Sequence, residues 1–308
     1  MRASAILRTA FLLTSVLALA ACGGGGGGGN GGTSFISWDQ VQPGTAVAFN
    51  GTSQEVTVEI DATNTATSVG PISAPGAAKV TSVYIDGGMG RLVPTNSSIS
   101  TSQSTVKTGN LFLEDAIPVF TSEYDANVSN NLQNFALIAD PFTQNWNYQT
   151  YGIWERDLGN GSFREIFASF GSVTPNSSVP IIGSAMYNGD LLGEYIAPDG
   201  SLFFTSADVS IDADFATSNM DFQSSNTVRV DVETLSNLVA DGNLDLSGTL
   251  SGAPGSNSFN GPLTNTGADL NGTGNAILYG PNVEEVGGTF ALKGSGVEAY
   301  AGSFGASQ

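Results

Sequence analysis

Four groups of side chains in this sequence have the types and spacing to do chemistry. Asp208, Asp212 and Asp214 repeat along one alternating stretch and would present carboxylates on one side of a strand. Asp157-Leu158-Gly159-Asn160-Gly161-Ser162, followed by Glu165, has the oxygen-rich make-up of a calcium loop. It departs from the order of acids in an EF-hand loop and lacks flanking helices. Glu284-Glu285 would be an acid/base pair. Trp146, Tyr148, Tyr151 and Trp154 would stack on a ligand or anchor a protein partner, because Trp and Tyr concentrate at binding hot spots.

Each group also has a plainer reading. The three aspartates fit the wet face of a strand. The Asp157 segment fits a hairpin turn, with Asn160-Gly161 at its tip. Neighbours on a strand point to opposite faces, so Glu284 and Glu285 would not share a substrate. The four aromatics are the kind of residue that fills a barrel core. In each case the plainer reading is the favoured one, and no catalytic, cofactor-binding or metal-ligating residue is expected.

What is missing narrows the chemistry further. The 308 residues contain no His, which excludes a Ser-His-Asp triad, a His-bearing zinc site and His-ligated haem. One Cys excludes an internal disulfide and a multi-cysteine metal cluster. Lys and Arg total 9 against 28 Asp and Glu, so no nucleic-acid partner is expected. An enzyme would have carboxylates alone to work with.

The one Cys has a clear place. Arg2 and Arg8 precede a short apolar run, Ala10–Ala21, which is too short for an ordinary membrane-spanning helix. The run ends in Leu19-Ala20-Ala21-Cys22, which resembles the lipobox of exported bacterial lipoproteins. By that resemblance residues 1–21 are a signal peptide and Cys22 is the lipid attachment point. By the same resemblance Gly23, in place of Asp, favours sorting to the outer membrane of a Gram-negative cell. Cleavage removes two Arg and no acid, which takes the net charge from −19 to −21. Residues 22–32 continue as an almost pure Gly run, a flexible tether that would hold a folded domain off the lipid.

The remaining chain reads as all-β. Val209, Ile211, Ala213 and Phe215 alternate with the aspartates. Val228, Val230 and Val232 alternate with Arg229, Asp231 and Glu233. Leu244, Leu246 and Leu250 repeat the pattern, as do Val56, Val58 and Ile60. A period of two marks strands with one dry and one wet face. Pro198-Asp199-Gly200, Asp241-Gly242 and Asn160-Gly161 supply tight turns.

A shift in composition divides this part at about residue 145. The second section resembles the β-barrel domain of the transferrin-binding protein B family of surface lipoproteins. The resemblance rests on Tyr279–Phe290 (YGPNVEEVGGTF) and the end Ala301–Ala306 (AGSFGA). It also rests on Tyr151-Gly152-Ile153-Trp154 as an opening barrel strand and on Pro180–Tyr195 as a hairpin. It implies a C-terminal antiparallel β-barrel of about eight strands over 145–308. A β-rich, handle-like lobe over 33–144 would precede it. About eight strands enclose an interior that side chains fill, so the barrel would be packed rather than a pore.

The resemblance further implies a non-enzymatic, cell-surface lipoprotein that binds an extracellular protein or small molecule, with a role in iron or nutrient acquisition. A dedicated Slam-type translocator would export it. The competing expectations are a structural lipoprotein facing the periplasm without a ligand, and an integral outer-membrane barrel. Replacing Cys22 with Ser separates the last of these from a lipid-anchored domain. The variant is expected in the soluble fraction of lysed cells, whereas persistent membrane insertion would indicate an integral barrel.

Overall fold

The computed structural model describes residues 35–41, 46–85, 88–94, 105–109, 119–123, 134–142, 144–232, 234, 238–267 and 269–308. Cys22, the signal segment and the Gly tether lie outside them. Two antiparallel sheets account for nearly all of the described regular structure. Among these residues no helix is long and apolar enough to cross a membrane.

The first sheet comprises β1 (Ala46–Ile60), β2 (Ala66–Val69), β3 (Gly76–Ile85), β4 (Gly88–Pro94) and β5 (Thr105–Gly109), then β6 (Val119–Glu123), β7 (Asn134–Ala139), β8 (Gln149–Gly159) and β9 (Ser162–Gly171). Their order is β4-β3-β1-β9-β8-β7-β6-β5, with β2 pairing to β1. Alternation gives the sheet two dry faces. Val56, Val58, Tyr151, Ile153, Phe163 and Phe167 fall on one. Phe49, Trp154, Ile166, Ala168 and Phe170 fall on the other, where Trp38 covers them and donates its indole N–H to the Gln149 carbonyl at 2.9 Å.

The second sheet closes on itself. Its strands are β10 (Ser184–Ile196), β11 (Leu202–Asp214), β12 (Asn219–Asp231), β13 (Val239–Ala240), β14 (Leu246–Ser251), β15 (Ser258–Asn265), β16 (Asn271–Tyr279), β17 (Glu285–Lys293) and β18 (Ala299–Ser307). Pairing runs β10-β11-β12-β14-β15-β16-β17-β18 and back to β10, an eight-stranded antiparallel barrel with β13 as a short addition to β12. Tyr187, Ile211, Met220, Phe222, Phe259, Phe290, Tyr300 and Phe304 fill the interior. The barrel is therefore packed, as its strand number requires.

One strand serves both sides of the wall. On β12, Met220 and Phe222 point inward, yet Val228 and Val230 belong to the cluster outside the barrel. The register with β11 shifts between Ser206 and Asp208, and Asn226 takes a left-handed φ of 58°. This is a β-bulge, which inserts a residue and reverses the parity of the strand beyond it. The dry face of the Val228-Val230-Val232 alternation thus packs outside the barrel and not inside it.

The first sheet lies against the outer wall formed by β16, β17, β18 and β10. Apolar residues from both sides meet there: Val58, Tyr151, Ile153 and Phe167 from the sheet, and Leu192, Ile196, Ala291 and Ala301 from the barrel. Gly287 and Gly305 face the sheet from the barrel. A Cβ on Gly287 would stand 2.3 Å from the Ser169 hydroxyl, and one on Gly305 would stand 2.7 Å from the Tyr151 ring. These glycines let the two walls approach closely.

The strand placement corrects two sequence-based expectations. Tyr151-Gly152-Ile153-Trp154 does not open the barrel. It lies on β8, between β7 and β9 in the first sheet, so a division at residue 145 would cut that sheet. The barrel begins at Ser184. The physical reason is the double-sided burial of β8 and β9, which suits a sheet covered on both faces. Pro180–Tyr195 is likewise an entry loop plus the single strand β10, not a hairpin.

Gly305→Val should overpack the seam between sheet and barrel and lower unfolding free energy by about 1–3 kcal/mol. Gly242→Ala, where the nearest atom to a new Cβ is 3.5 Å away, should change it by less than about 0.5 kcal/mol. Urea unfolding followed by Trp fluorescence measures both.

Candidate functional site

The aromatic set suggested by the sequence does not form one surface. Trp146, Tyr151 and Trp154 are buried, and Tyr148 is half-buried. Trp146 packs on Tyr151 within the seam, ring centroids 5.5 Å apart. Trp154 sits on the opposite face of β8, 5.8 Å from the Phe170 ring. Tyr151 and Trp154 are three residues apart on a strand, and that odd spacing sends them to opposite faces. Tyr148 meets Phe35 edge-on at 6.4 Å.

The paired glutamates diverge as strand geometry requires. Glu284 closes the β16–β17 turn by accepting from the Asn282 backbone N–H and side-chain amide, each at 2.8 Å. Glu285 points into the seam, where it is buried. Its carboxylate accepts the backbone N–H groups of Asn147 at 2.5 Å, Tyr148 at 3.0 Å and Gln149 at 2.8 Å. It thus ties the entry of β8 to the barrel wall. Burial pushes the Glu285 carboxyl up to about 7, and the three N–H donors oppose the rise while the nearby Glu284 charge adds to it.

Asp208, Asp212 and Asp214 all lie on the exposed side of β11. Asp208 accepts from the Asn226 amide at 2.7 Å, and Asp214 accepts the Ala216 N–H at 2.9 Å. They form a solvated face and do not converge on a site. Asp157 belongs to the β8–β9 hairpin, where it accepts the Gly159 N–H at 2.7 Å. Glu165 is not near it in function: it points into the seam.

The end of the barrel that carries the β16–β17 turn has a different character. The segment 172–183 crosses it on the way from the sheet to β10. Asn257 on the β14–β15 loop donates from its side-chain amide to the Thr174 carbonyl at 2.5 Å and from its backbone N–H to the Asn176 side chain at 2.9 Å. Val283 has a left-handed φ of 58°, which is strained for a β-branched residue. Its carbonyl accepts from the Tyr187 hydroxyl at 2.8 Å and from the Gln308 amide at 2.7 Å, which holds the turn in that form.

On this braced rim Ile181, Ile182 and Met186 are 65%, 76% and 58% exposed. Ile181 and Ile182 lie in the loop before β10 and Met186 near the start of that strand, so this apolar exposure falls at one end of the barrel. The sequence signal was present in Pro180-Ile181-Ile182-Gly183, an apolar pair beside a Pro with no alternation to bury it. At the other end of the barrel a cavity of about 270 Å³ is lined by Tyr195, Asp241, Leu244, Asn265 and Asp269. Its acids are engaged: Asp241 pairs with Arg229 at 2.9 Å, and Asp269 accepts from the Asn265 side-chain amide at 2.6 Å.

The fold is thus a closed, filled eight-stranded barrel, covered on one wall by a β-sheet lobe and bearing an apolar loop at one rim. Residues 179–308 match the family described as the C-lobe and N-lobe β-barrels of transferrin-binding protein B, and the chain is TbpB-like in this part. No curated protein matches the chain.

Among solved structures, it is similar to a transferrin-binding protein B vaccine antigen of Haemophilus parasuis Hp5. That match has 18% identity and a TM-score of 0.44, and it covers 84% of this chain and 45% of that one. The chain thus spans less than half the length of that relative. It is also similar to the isotype 1 protein of serogroup B Neisseria meningitidis, at 13% identity and a TM-score of 0.38 over 86% of this chain and 77% of that one. A structure described as a surface lipoprotein matches at 13% identity and a TM-score of 0.44, covering 83% of this chain and 98% of that one.

Asp190 shares the behaviour of Glu285, being pushed up to about 6 by burial and by Asp208 across the strand pair, against a hydrogen bond from Gln144. Both acids hold their proton more tightly in the folded protein than in the unfolded chain. Their contribution to stability is therefore full below about pH 4 and is lost as the pH rises through about 6 to 7. The urea midpoint should be higher at pH 5 than at pH 8, and Asp190→Asn with Glu285→Gln should reduce that slope. Glu285→Ala leaves three N–H groups without their acceptor and should cost about 3 kcal/mol at pH 5, and less as the pH rises through about 7.

Proposed function

We propose that this chain is an outer-membrane lipoprotein, displayed at the cell surface, that binds an extracellular ligand and performs no chemistry on it. The observation that carries this reading is the exposed Ile181-Ile182 loop with Met186, set on a rim braced by the strained Val283 turn and the Asn257 contacts. A rigid edge with apolar anchors is suited to a protein partner, because binding then costs little ordering entropy.

The match of residues 179–308 to the barrels of transferrin-binding protein B supports a protein ligand of the transferrin class, and with it a role in iron acquisition. Lipid on Cys22 and the Gly tether would present the rim to the outside. A dedicated Slam-type translocator would carry the chain across the outer membrane. The acidic surface supports solubility and favours a basic patch on the partner.

Protease added to intact cells should remove the protein; protection until lysis would place it in the periplasm and overturn the display. Immobilised protein should retain a specific partner from host fluids. Ile181→Asp with Ile182→Asp should weaken that retention at least about tenfold while leaving the fold intact. Unchanged retention by this variant would move the binding surface elsewhere.

A further inference from the structure

A second carboxylate constellation lies inside the seam, separate from the rim. On β8 and β9, Glu155 and Glu165 stand directly opposite each other, and β10 brings Glu194 from the barrel wall to face them. One oxygen from each of the three lies within 4.8 Å of the others. Like charges placed opposite each other on a sheet repel, and nothing in strand geometry requires this pairing.

The surroundings sharpen the question. Glu194 is 3% exposed, and among the described residues neither of its carboxylate oxygens has a hydrogen-bond donor. Its cross-strand neighbours are Phe204 and Ala301, and the neighbour of Glu165 on β1 is Val56. A buried carboxylate without a donor costs several kcal/mol unless something else compensates its charge. Glu155 is only half-buried, which leaves an entry path from solvent.

We propose that Glu155, Glu165 and Glu194 bind a calcium ion between the sheet and the barrel. Oxygens held about 2.4 Å from one such ion stand at most about 4.8 Å apart, which matches the observed grouping. Three carboxylates binding through one or both oxygens supply much of the roughly six to eight that calcium takes. Magnesium keeps several waters, which a dry seam does not provide. The ion would join a strand pair of the lobe to a strand of the barrel and compensate the charge of the buried Glu194 carboxylate.

The test uses the whole chain, purified in detergent. Elemental analysis of the protein as isolated comes first, followed by calorimetric titration of chelator-treated protein with calcium chloride in about 0.15 M salt, where weak surface binding is screened. The expected result is one calcium per chain, a higher thermal midpoint with calcium than with chelator, and loss of both effects in Glu194→Gln. Should Glu194→Gln fail to fold by circular dichroism, the half-buried Glu155→Gln decides, with at least a tenfold loss of affinity expected. Absence of calcium in the isolated protein together with no uptake on titration would overturn the proposal. So would stoichiometric binding that survives these substitutions, or a thermal midpoint of the native chain that is the same with calcium and with chelator while the Gln variants melt higher. That last result would mean the carboxyl groups share protons instead of an ion.

Discussion

The close approach of one β-sheet to the wall of a closed barrel is the constraint on which this molecule depends. A barrel has no free edge, so a second sheet cannot extend it and must lie on its outside. That contact would ordinarily be two layers of side chains meeting about 10 Å apart. Here glycines on β17 and β18 remove one layer locally. Ser169, Gln149 and Tyr151 enter the space where side chains of Gly287 and Gly305 would stand.

Polar groups then hold the walls at the distance the glycines permit. Glu285 accepts three backbone N–H groups from the start of β8. Thr289 donates to Gln54 at 2.8 Å, Ser303 donates to the Gly152 carbonyl at 2.9 Å, and the Ser169 and Tyr279 hydroxyls lie 3.1 Å apart. Each buried polar group that is paired in this way gives the seam one register rather than a family of sliding ones. The rim inherits its rigidity from the same anchoring, since segment 172–183 leaves β9 at the seam and arrives at β10.

Much of this was legible in the residues. Val209, Ile211 and Ala213 gave away a strand with its aspartates in water, and Leu246 with Leu250 did the same for the opposite wall. The i,i+1 rule correctly separated Glu284 from Glu285. What the alternation could not reveal was which dry face met which. Val228 and Val230 look like interior residues until Asn226 reverses the strand, and that reversal depends on the register with β11. Tyr151 and Trp154 looked like one aromatic cluster at the start of a barrel, because a run of aromatics does not say that both faces of its sheet are covered. The triad of Glu155, Glu165 and Glu194 comes from three strands whose pairing is set by the whole topology, so no local motif announces it.

The seam also sets the order in which the molecule can form. Its hydrogen bond between Gln54 and Thr289 joins residues 235 positions apart, and the barrel itself closes only when β18 pairs with β10. Contacts of such long range must first overcome the entropy of closing large loops, which makes folding slow. Until β18 arrives, β10 and β17 carry open edges and the glycine-lined wall has no partner. Before closure the chain therefore presents open strand edges, and it is in that interval, not in the finished barrel, that aggregation competes with folding.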